Sequence, residues 1–248
     1  MIDFKKLREQ NIEITKRAVK SSLTRDILII QAISCIEDTD KASSIFVNRL
    51  REWYGYYNPE FTKSIRSNEK FSELIASMSK KDLLKSLKLD EARSMGADFE
   101  KKDLDAALEL ARSLNDLYSF RKYLEQYLEK AMSEICPNIT AIAGPLLGAK
   151  LLSLAGSIKR ISELPSSTIQ LLGAEKALFR HIRGLGKCPK HGVLVQHPLM
   201  ESAKMKDRGK VARALADKIS IAAKVDYFKG KFVGDKLKAG LEARFKKK

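Results

Sequence analysis

Cysteine is scarce in this 248-residue sequence, and the three present, Cys35, Cys136 and Cys188, are odd in number and far apart. That pattern argues against a disulfide framework and for a reducing compartment. Long apolar runs are also lacking. The longest, Ile139 to Leu154, is short for a membrane span and carries Lys150. MIDFKKLREQ at the N-terminus has no apolar segment of the kind a signal peptide needs, so a cytosolic protein is expected. No stretch alternates apolar and polar residues for long enough to build a sheet. Proline is absent from residues 1–58 and 60–136, so nothing there interrupts long helices.

What is present is helical periodicity, and the expected fold is all-α. Ile29, Ile33, Ile36, Asp40, Ser43, Val47 and Leu50 alternate spacings of four and three. Leu110, Leu114, Leu117, Arg121, Leu124, Leu128, Ala131 and Ile135 continue the same rhythm. Apolar residues every 3.5 positions favour supercoiled helix pairs, and a helix of about 35 residues is about 50 Å long. A long antiparallel coiled coil is expected over residues 1–137. The apolar seam members Ile29, Ile33, Ile36, Val47, Leu110, Leu114, Leu117, Leu124 and Leu128 are candidates for pairing, both within a hairpin and with a second copy. Ile27 and Ile30, off the seam, suggest a second contact face, and a homodimer is favoured over a monomeric bundle. Trp53, Tyr54, Tyr56, Tyr57, Pro59 and Phe61 end the first long helix in an aromatic knot. A base-stacking platform is one reading. The low local charge, with Glu52 and Glu60 flanking, favours a small core at the hairpin tip, closed by short helices through Phe71, Leu74, Ile75, Leu83, Leu84 and Leu87.

Charge divides the chain. Of the net +16, residues 1–137 carry 24 Lys/Arg against 23 Asp/Glu, whereas residues 138–248 carry 23 against 8. A basic half of this kind suits a polyanion, although the terminal FKKK reads as an exposed solubility tail. Pro137 marks the boundary, because the residue before a proline is pushed out of helical geometry. Asn138 or Thr140 then offers a cap for a helix running to about Leu164-Pro165, and Ser166, Ser167 and Thr168 offer the next. Residues 138–248 are expected to form a compact helical domain with a turn-rich segment around VLV and a helix from Met205 to Val225.

Within that domain the sequence breaks at Gly173 and restarts as GAEKALFRHIR, with Lys176, Arg180, Arg183 and Lys187 spaced four, three and four apart. The spacing places four cations on one helix face. Lys176 opposes the helix's own positive N-terminal end, so an anionic partner explains it better than helix stability does. Glu175 is the only carboxylate between Glu163 and Glu201. Arginine forks onto phosphates or stacks on bases, which makes Arg180 and Arg183 the geometry-dependent contacts, and Lys176, Lys187 and Lys190 the salt-sensitive ones. His197 reads equally as a polar contact to RNA or protein and as a histidine satisfied inside a turn.

Enzyme readings fail on the residues. GPLLGAK has three residues between its glycines, lacks the Gly-Lys pair and has no Ser/Thr after the lysine, so it is not a phosphate-binding loop. Cys188, His191 and His197 cluster, but a fourth zinc ligand is missing and the spacing matches no finger. A Cys188/His191 nucleophile pair has no orienting carboxylate. No catalytic constellation, metal or cofactor is expected.

NITAIAGPLLGAK, STIQLLGAEKALFR, PKHGVLVQHP and AAKVDYF together resemble the Nop domain, and RLREWYGYYNPEF resembles the piece that follows the first coiled-coil helix in the same proteins. These are scaffold proteins of box C/D ribonucleoproteins, with a spliceosomal relative. The resemblance implies a coiled-coil homodimer with a Nop domain that docks on guide RNA beside a kink-turn, jointly with a small kink-turn-binding protein of the ribosomal-protein type. Carried over, it implicates Gly173, Ala174, Glu175, Lys176 and Arg180. It also implies a cytoplasmic location for an archaeal-type protein and a nucleolar one for a eukaryotic protein. In the family the scaffold positions fibrillarin for guided 2′-O-methylation through a separate N-terminal domain. Residues 1–20 do not resemble that domain, so the expectation is a chain that dimerises and binds RNA without recruiting fibrillarin. The competing class is a basic architectural protein that binds nucleic acid without sequence preference.

Overall fold

The computed structural model describes residues 4–89 and 94–245; Lys246, Lys247 and Lys248, read above as part of an exposed tail, lie outside the described residues. Every regular element among the described residues is helical, and no strand occurs. The chain begins with α1 (Phe4–Ser22), exposed along its whole length, and continues into α2 (Arg25–Tyr57). Three short helices follow, α3 (Pro59–Ser64), α4 (Asn68–Ser77) and α5 (Lys80–Ser86), before α6 (Lys101–Ile135). At 33 and 35 residues, α2 and α6 have the proline-free lengths expected of them. Two compact units result: residues up to Ser34 with those from Tyr127 onward, and the intervening Cys35–Gln126.

In the Cys35–Gln126 unit, α2 and α6 run antiparallel. Arg121 Nε donates to Asp40 Oδ1 at 2.5 Å, while Val47, Leu50 and Tyr54 share a core with Ala111 and Leu114. The two charged members of the heptad seam are therefore each other's partners, and Arg121 also reaches Glu125 at 2.6 Å. The aromatic knot is a core. Tyr54, Phe61 and Phe71 are fully buried, with the two phenylalanine rings stacked 5.6 Å apart and the Arg51 guanidinium 4.3 Å above Phe71. Each short helix starts on a side-chain cap that satisfies a free N–H. Asn58 accepts from Phe61 N at 3.2 Å, Ser67 from Lys70 N at 3.5 Å and Ser79 from Asp82 N at 3.3 Å.

Ile29, Ile33, Ile36, Val47, Leu114 and Leu128 are buried within a single chain, and Leu110, Leu117 and Leu124 are half-buried. Folding of one chain buries six of these nine seam residues and leaves three partly exposed.

The other unit holds α7 (Pro137–Ala143), α8 (Pro145–Ala155), α9 (Ile158–Glu163), α10 (Ser166–Leu171), α11 (Glu175–Ile182), a 3₁₀ turn at Val193–Gln196, α12 (Pro198–Glu201), α13 (Arg208–Tyr227) and α14 (Gly234–Phe245). The single helix expected over residues 138–164 is three helices. Gly144 at φ +80 breaks the first from the second, a conformation that costs a residue with a Cβ, and Pro145 restarts the chain with α7 and α8 bent by 115°. No single described helix is long and apolar enough to cross a membrane. Around α13, ten of whose residues are buried, pack α7, α9, α10 and α14.

The caps here are tertiary where the sequence suggested local ones. Neither Asn138 nor Thr140 caps α7. Asp226, near the end of α13, accepts from Asn138 N (3.1 Å), Ile139 N (2.9 Å) and Asn138 Nδ2 (2.7 Å). Asn138 Oδ1 in turn accepts from Val233 N at 2.7 Å, which ties the α13–α14 connection to the same point. Burial pushes the Asp226 carboxyl above its ordinary value, and the three N–H donors pull the other way. In the same manner Asp26 accepts from Ile158 N at 3.0 Å at the start of α9. α10 follows Pro165 with no side-chain cap hydrogen bond, so Ser166, Ser167 and Thr168 do not serve as its N-cap.

Candidate nucleic-acid interface

α11 and its flanks form a loop held at its base. Gly192 N donates to Gln170 O at 2.9 Å and Val193 N to Leu172 O at 2.8 Å, and Gln170 Nε2 donates to Lys190 O at 2.6 Å. Only glycine fits at position 192, because a Cβ there would lie 1.8 Å from Leu172 O. This clamp fixes residues 189–193 against 170–172 and leaves most of the segment between them exposed, with Ala174 and Leu178 half-buried. Gly173 N donates to Glu175 Oε1 at 2.7 Å. Glu175 therefore braces the turn into α11 and complements the positive end of the helix. Ala174 is the N-cap residue, with no side-chain hydrogen bond of its own.

Lys176, Arg180, Arg183, Lys187 and Lys190 are all exposed, and among the described residues none makes an ion pair or side-chain hydrogen bond. The helix ends at Ile182, with Arg183 as its C-cap and Leu185 N bonding back to Arg180 O at 2.8 Å. Three of the four cations thus follow the helix, and Lys187 sits beyond it in the turn, contrary to the four-on-one-face expectation. Lys190 lies farther along, against the first turn of α13, where a Cβ on Gly209 would be 3.7 Å from its Cδ.

His197 does not belong to this surface. It is buried, its Nδ1 accepts from Leu199 N at 3.1 Å to cap α12, and its Nε2 donates to Ile142 O at 2.9 Å. Because Nδ1 accepts a hydrogen bond, the neutral ring carries its proton on Nε2. The satisfied-histidine alternative describes this geometry, and His197 is withdrawn as an RNA contact. Burial first, and Lys238 after it, hold its pKa below the ordinary value against the opposing pull of the Ile142 carbonyl. A depressed histidine contributes stability above its unfolded value of about 6.5 and loses it as pH falls toward the folded value. Melting in the pH 5 to 7 range should show stability declining on acidification by up to about 1.4 kcal/mol per pH unit from this group. His197→Asn, which can still cap but does not titrate, should flatten that decline.

What the sequence reading missed on α11 is apolar. The helix buries no residue, and Phe179, Ile182 and Leu185 are 62%, 70% and 68% exposed. Their three-residue spacing is the pattern of a face packed on a core, so nothing in the sequence distinguished a buried face from a presented one. Cations interleaved with bare apolar side chains suit a surface that meets phosphates and a protein together. No three His, Cys, Asp or Glu side chains converge as a metal site among the described residues.

Comparison with known proteins identifies a family and a fold. A family model described as "Nop: snoRNA binding domain, fibrillarin" matches residues 35–247. An uncharacterised NOP5 family protein of Methanocaldococcus jannaschii is 42% identical over 97% of this chain and 61% of its own length. Nucleolar protein 58 of Schizosaccharomyces pombe is 38% identical over 81% of the chain, and nucleolar protein 56 of Dictyostelium discoideum 39% over 82%. The chain spans 42% and 41% of those two proteins. Among solved structures, a fibrillarin/Nop5p complex contains a chain of the same fold, with a TM-score of 0.59 and 24% identity, covering 98% of this chain and 78% of that one.

Proposed function

This chain belongs to the Nop family, and from that premise we propose that it is a scaffold of a box C/D small ribonucleoprotein that guides RNA 2′-O-methylation. It binds and positions RNA and performs no chemistry itself. Residues 138–248 carry the RNA-binding role and residues 1–137 the role of self-association. The observation that carries the reading is α11 with the turn that follows it: a base-clamped segment whose helix has no fully buried residue and which exposes three cations, Lys176, Arg180 and Arg183, and three apolar side chains, Phe179, Ile182 and Leu185. A bare phosphate-binding surface needs only the cations. The apolar side chains support composite recognition, in which guide RNA at a kink-turn and a small kink-turn-binding protein are engaged together.

A gel shift on kink-turn RNA, with and without the small protein and across a salt series, tests this. Tight binding only when the protein is present is the expected result. Equal binding to kink-turn RNA, plain duplex RNA and DNA, all lost together as salt rises, would reduce the chain to a basic architectural protein.

Self-association is proposed through apolar side chains left exposed on the Cys35–Gln126 unit rather than through the seam. Ile45 is 68% exposed, Tyr123 63%, Phe46 43% and Phe120 42%. Light scattering should give twice the 27.9 kDa chain mass for the wild type and the chain mass for Ile45→Glu combined with Tyr123→Glu, with helical circular dichroism unchanged because both positions are exposed within one chain. A monomeric wild type would remove the dimer from the proposal.

A further inference from the structure

At the far end of α13 from Lys190, the chain passes through Tyr227-Phe228-Lys229-Gly230-Lys231-Phe232 on its way to α14. Phe228 is 76% exposed and Phe232 53%. Two phenylalanines so bare contribute little to the stability of the fold, yet the segment that carries them is tightly fixed. Gly230 N bonds back to Val225 O at 2.8 Å and Lys229 N to Asp226 O at 3.2 Å. Lys229 takes a left-handed φ of 54, a conformation uncommon outside glycine. Val233 N is held by the Asn138 side chain, which Asp226 holds in turn. The rings are therefore displayed on a preorganised loop.

Their surroundings are cationic. Lys224, Lys229, Lys231 and Lys236 are exposed and without an ion-pair partner among the described residues, and Asp235 is the only carboxylate from Tyr227 to Lys236. Lysines at a helix C-terminus favour the helix dipole, which accounts for Lys224 and leaves the others and both rings unexplained. Exposed aromatic rings with unpaired cations around them are the arrangement by which proteins hold unpaired nucleotides: bases stack on the rings while the cations follow the phosphates. Phe228 packs edge-on against Tyr227, with ring centroids 5.0 Å apart, which leaves a face of the ring open. An acidic protein segment would satisfy the lysines and leave no reason for two exposed ring faces. Duplex RNA, with its bases already stacked, would leave the rings unused.

We propose that the α13–α14 connection is a second nucleic-acid site, in which Phe228 and Phe232 stack bases of a single-stranded RNA segment and Lys229 and Lys231 hold its backbone. The 20 residues of α13 place it on the order of 30 Å from the Lys190 end of the helix, so it is distinct from the α11 surface. It stands whether or not α11 docks on a kink-turn.

The test is fluorescence anisotropy of a labelled, unstructured oligouridylate of about a dozen nucleotides against the full chain and a Phe228→Ala, Phe232→Ala variant. Loss of stacking on one to two bases should weaken oligouridylate binding roughly five- to a hundredfold, with binding to a closed kink-turn hairpin and the melting temperature unchanged. Arg180→Ala should do the converse, which separates failure of this proposal from failure of the α11 reading. Equal oligouridylate affinity in wild type and the phenylalanine variant overturns the proposal. Independently of any variant, ultraviolet crosslinking of oligouridylate to the unaltered chain should place the modified peptide at Phe228 or Phe232. Crosslinks confined to residues 173–190 would overturn it.

Discussion

With Arg180 and Arg183 both changed to glutamate, affinity for kink-turn RNA carrying its small protein is expected to fall at least about a hundredfold at 0.1 M salt. Each arginine hydrogen bond to phosphate is worth about 1.5–3 kcal/mol, and about 1.4 kcal/mol corresponds to tenfold. Loss of both contacts therefore reaches that figure before the added repulsion is counted. The variant should fold normally, because both side chains are exposed and unpaired and α11 buries nothing. Surface changes of this kind cost within about 0.5 kcal/mol. Neutralising Lys176, Lys187 or Lys190 with glutamine should act differently. Each should lower the slope of log affinity against log salt by about 0.7–0.9, with a smaller loss of binding at any one salt concentration. Undiminished binding by the double-glutamate variant would rule out α11 as the interface.

The largest expected loss of stability follows Asp226→Ala. Asp226 satisfies two backbone N–H groups at the start of α7 and the amide of Asn138, all buried. Removing it strands three donors and loosens the Asn138 contact to Val233 N. Each buried donor left unsatisfied costs about 1–3 kcal/mol, so stranding three costs roughly 3 kcal/mol or more. In a unit of this size that corresponds to about 10 °C in melting temperature. Asp226→Asn keeps the shape and one acceptor oxygen, so calorimetry should show a smaller drop. Asp217→Ala on the exposed face of the same helix should move melting little.

Much of the fold was legible because helix signals are local. Proline-free runs marked α2 and α6, Cys136-Pro137 marked the break between the helices α6 and α7, and the glycine at 173 marked the restart that became α11. Heptad spacing identified the residues that pack along α2 and α6, and even its charged exceptions, Asp40 and Arg121, turned out to pair with each other. The same spacing could not say whether the seam serves one chain or two, since antiparallel pairing within a hairpin and pairing between copies bury the same periodic face. Long-range caps were illegible for a related reason. Asn138 carries the chemistry of a local N-cap, and only the fold reveals that an aspartate on another helix has taken that role. His197 was left between two readings because its sequence neighbours hold neither Ile142 O nor any sign of its burial. The cations of α11 were readable from charge alone, whereas the exposure of Phe179, Ile182 and Leu185 depends on the absence of any packing partner.

The discontinuous make-up of one unit sets a timetable for synthesis. Cys35–Gln126 is a continuous insertion, and its core residues are all available once that stretch has left the ribosome. The unit around it is not. Asn138 waits for a carboxylate 88 residues further on, and at about 5–20 residues per second that acceptor arrives roughly 4–18 s later. Asp26, made early, waits across a separation of 132 residues for the N–H of Ile158. The inserted hairpin is thus the part that can fold first, and the unit around it closes only once Asp226 has emerged. A ribosome stalled before Asp226 would carry a finished hairpin joined to a surrounding unit that lacks its latch.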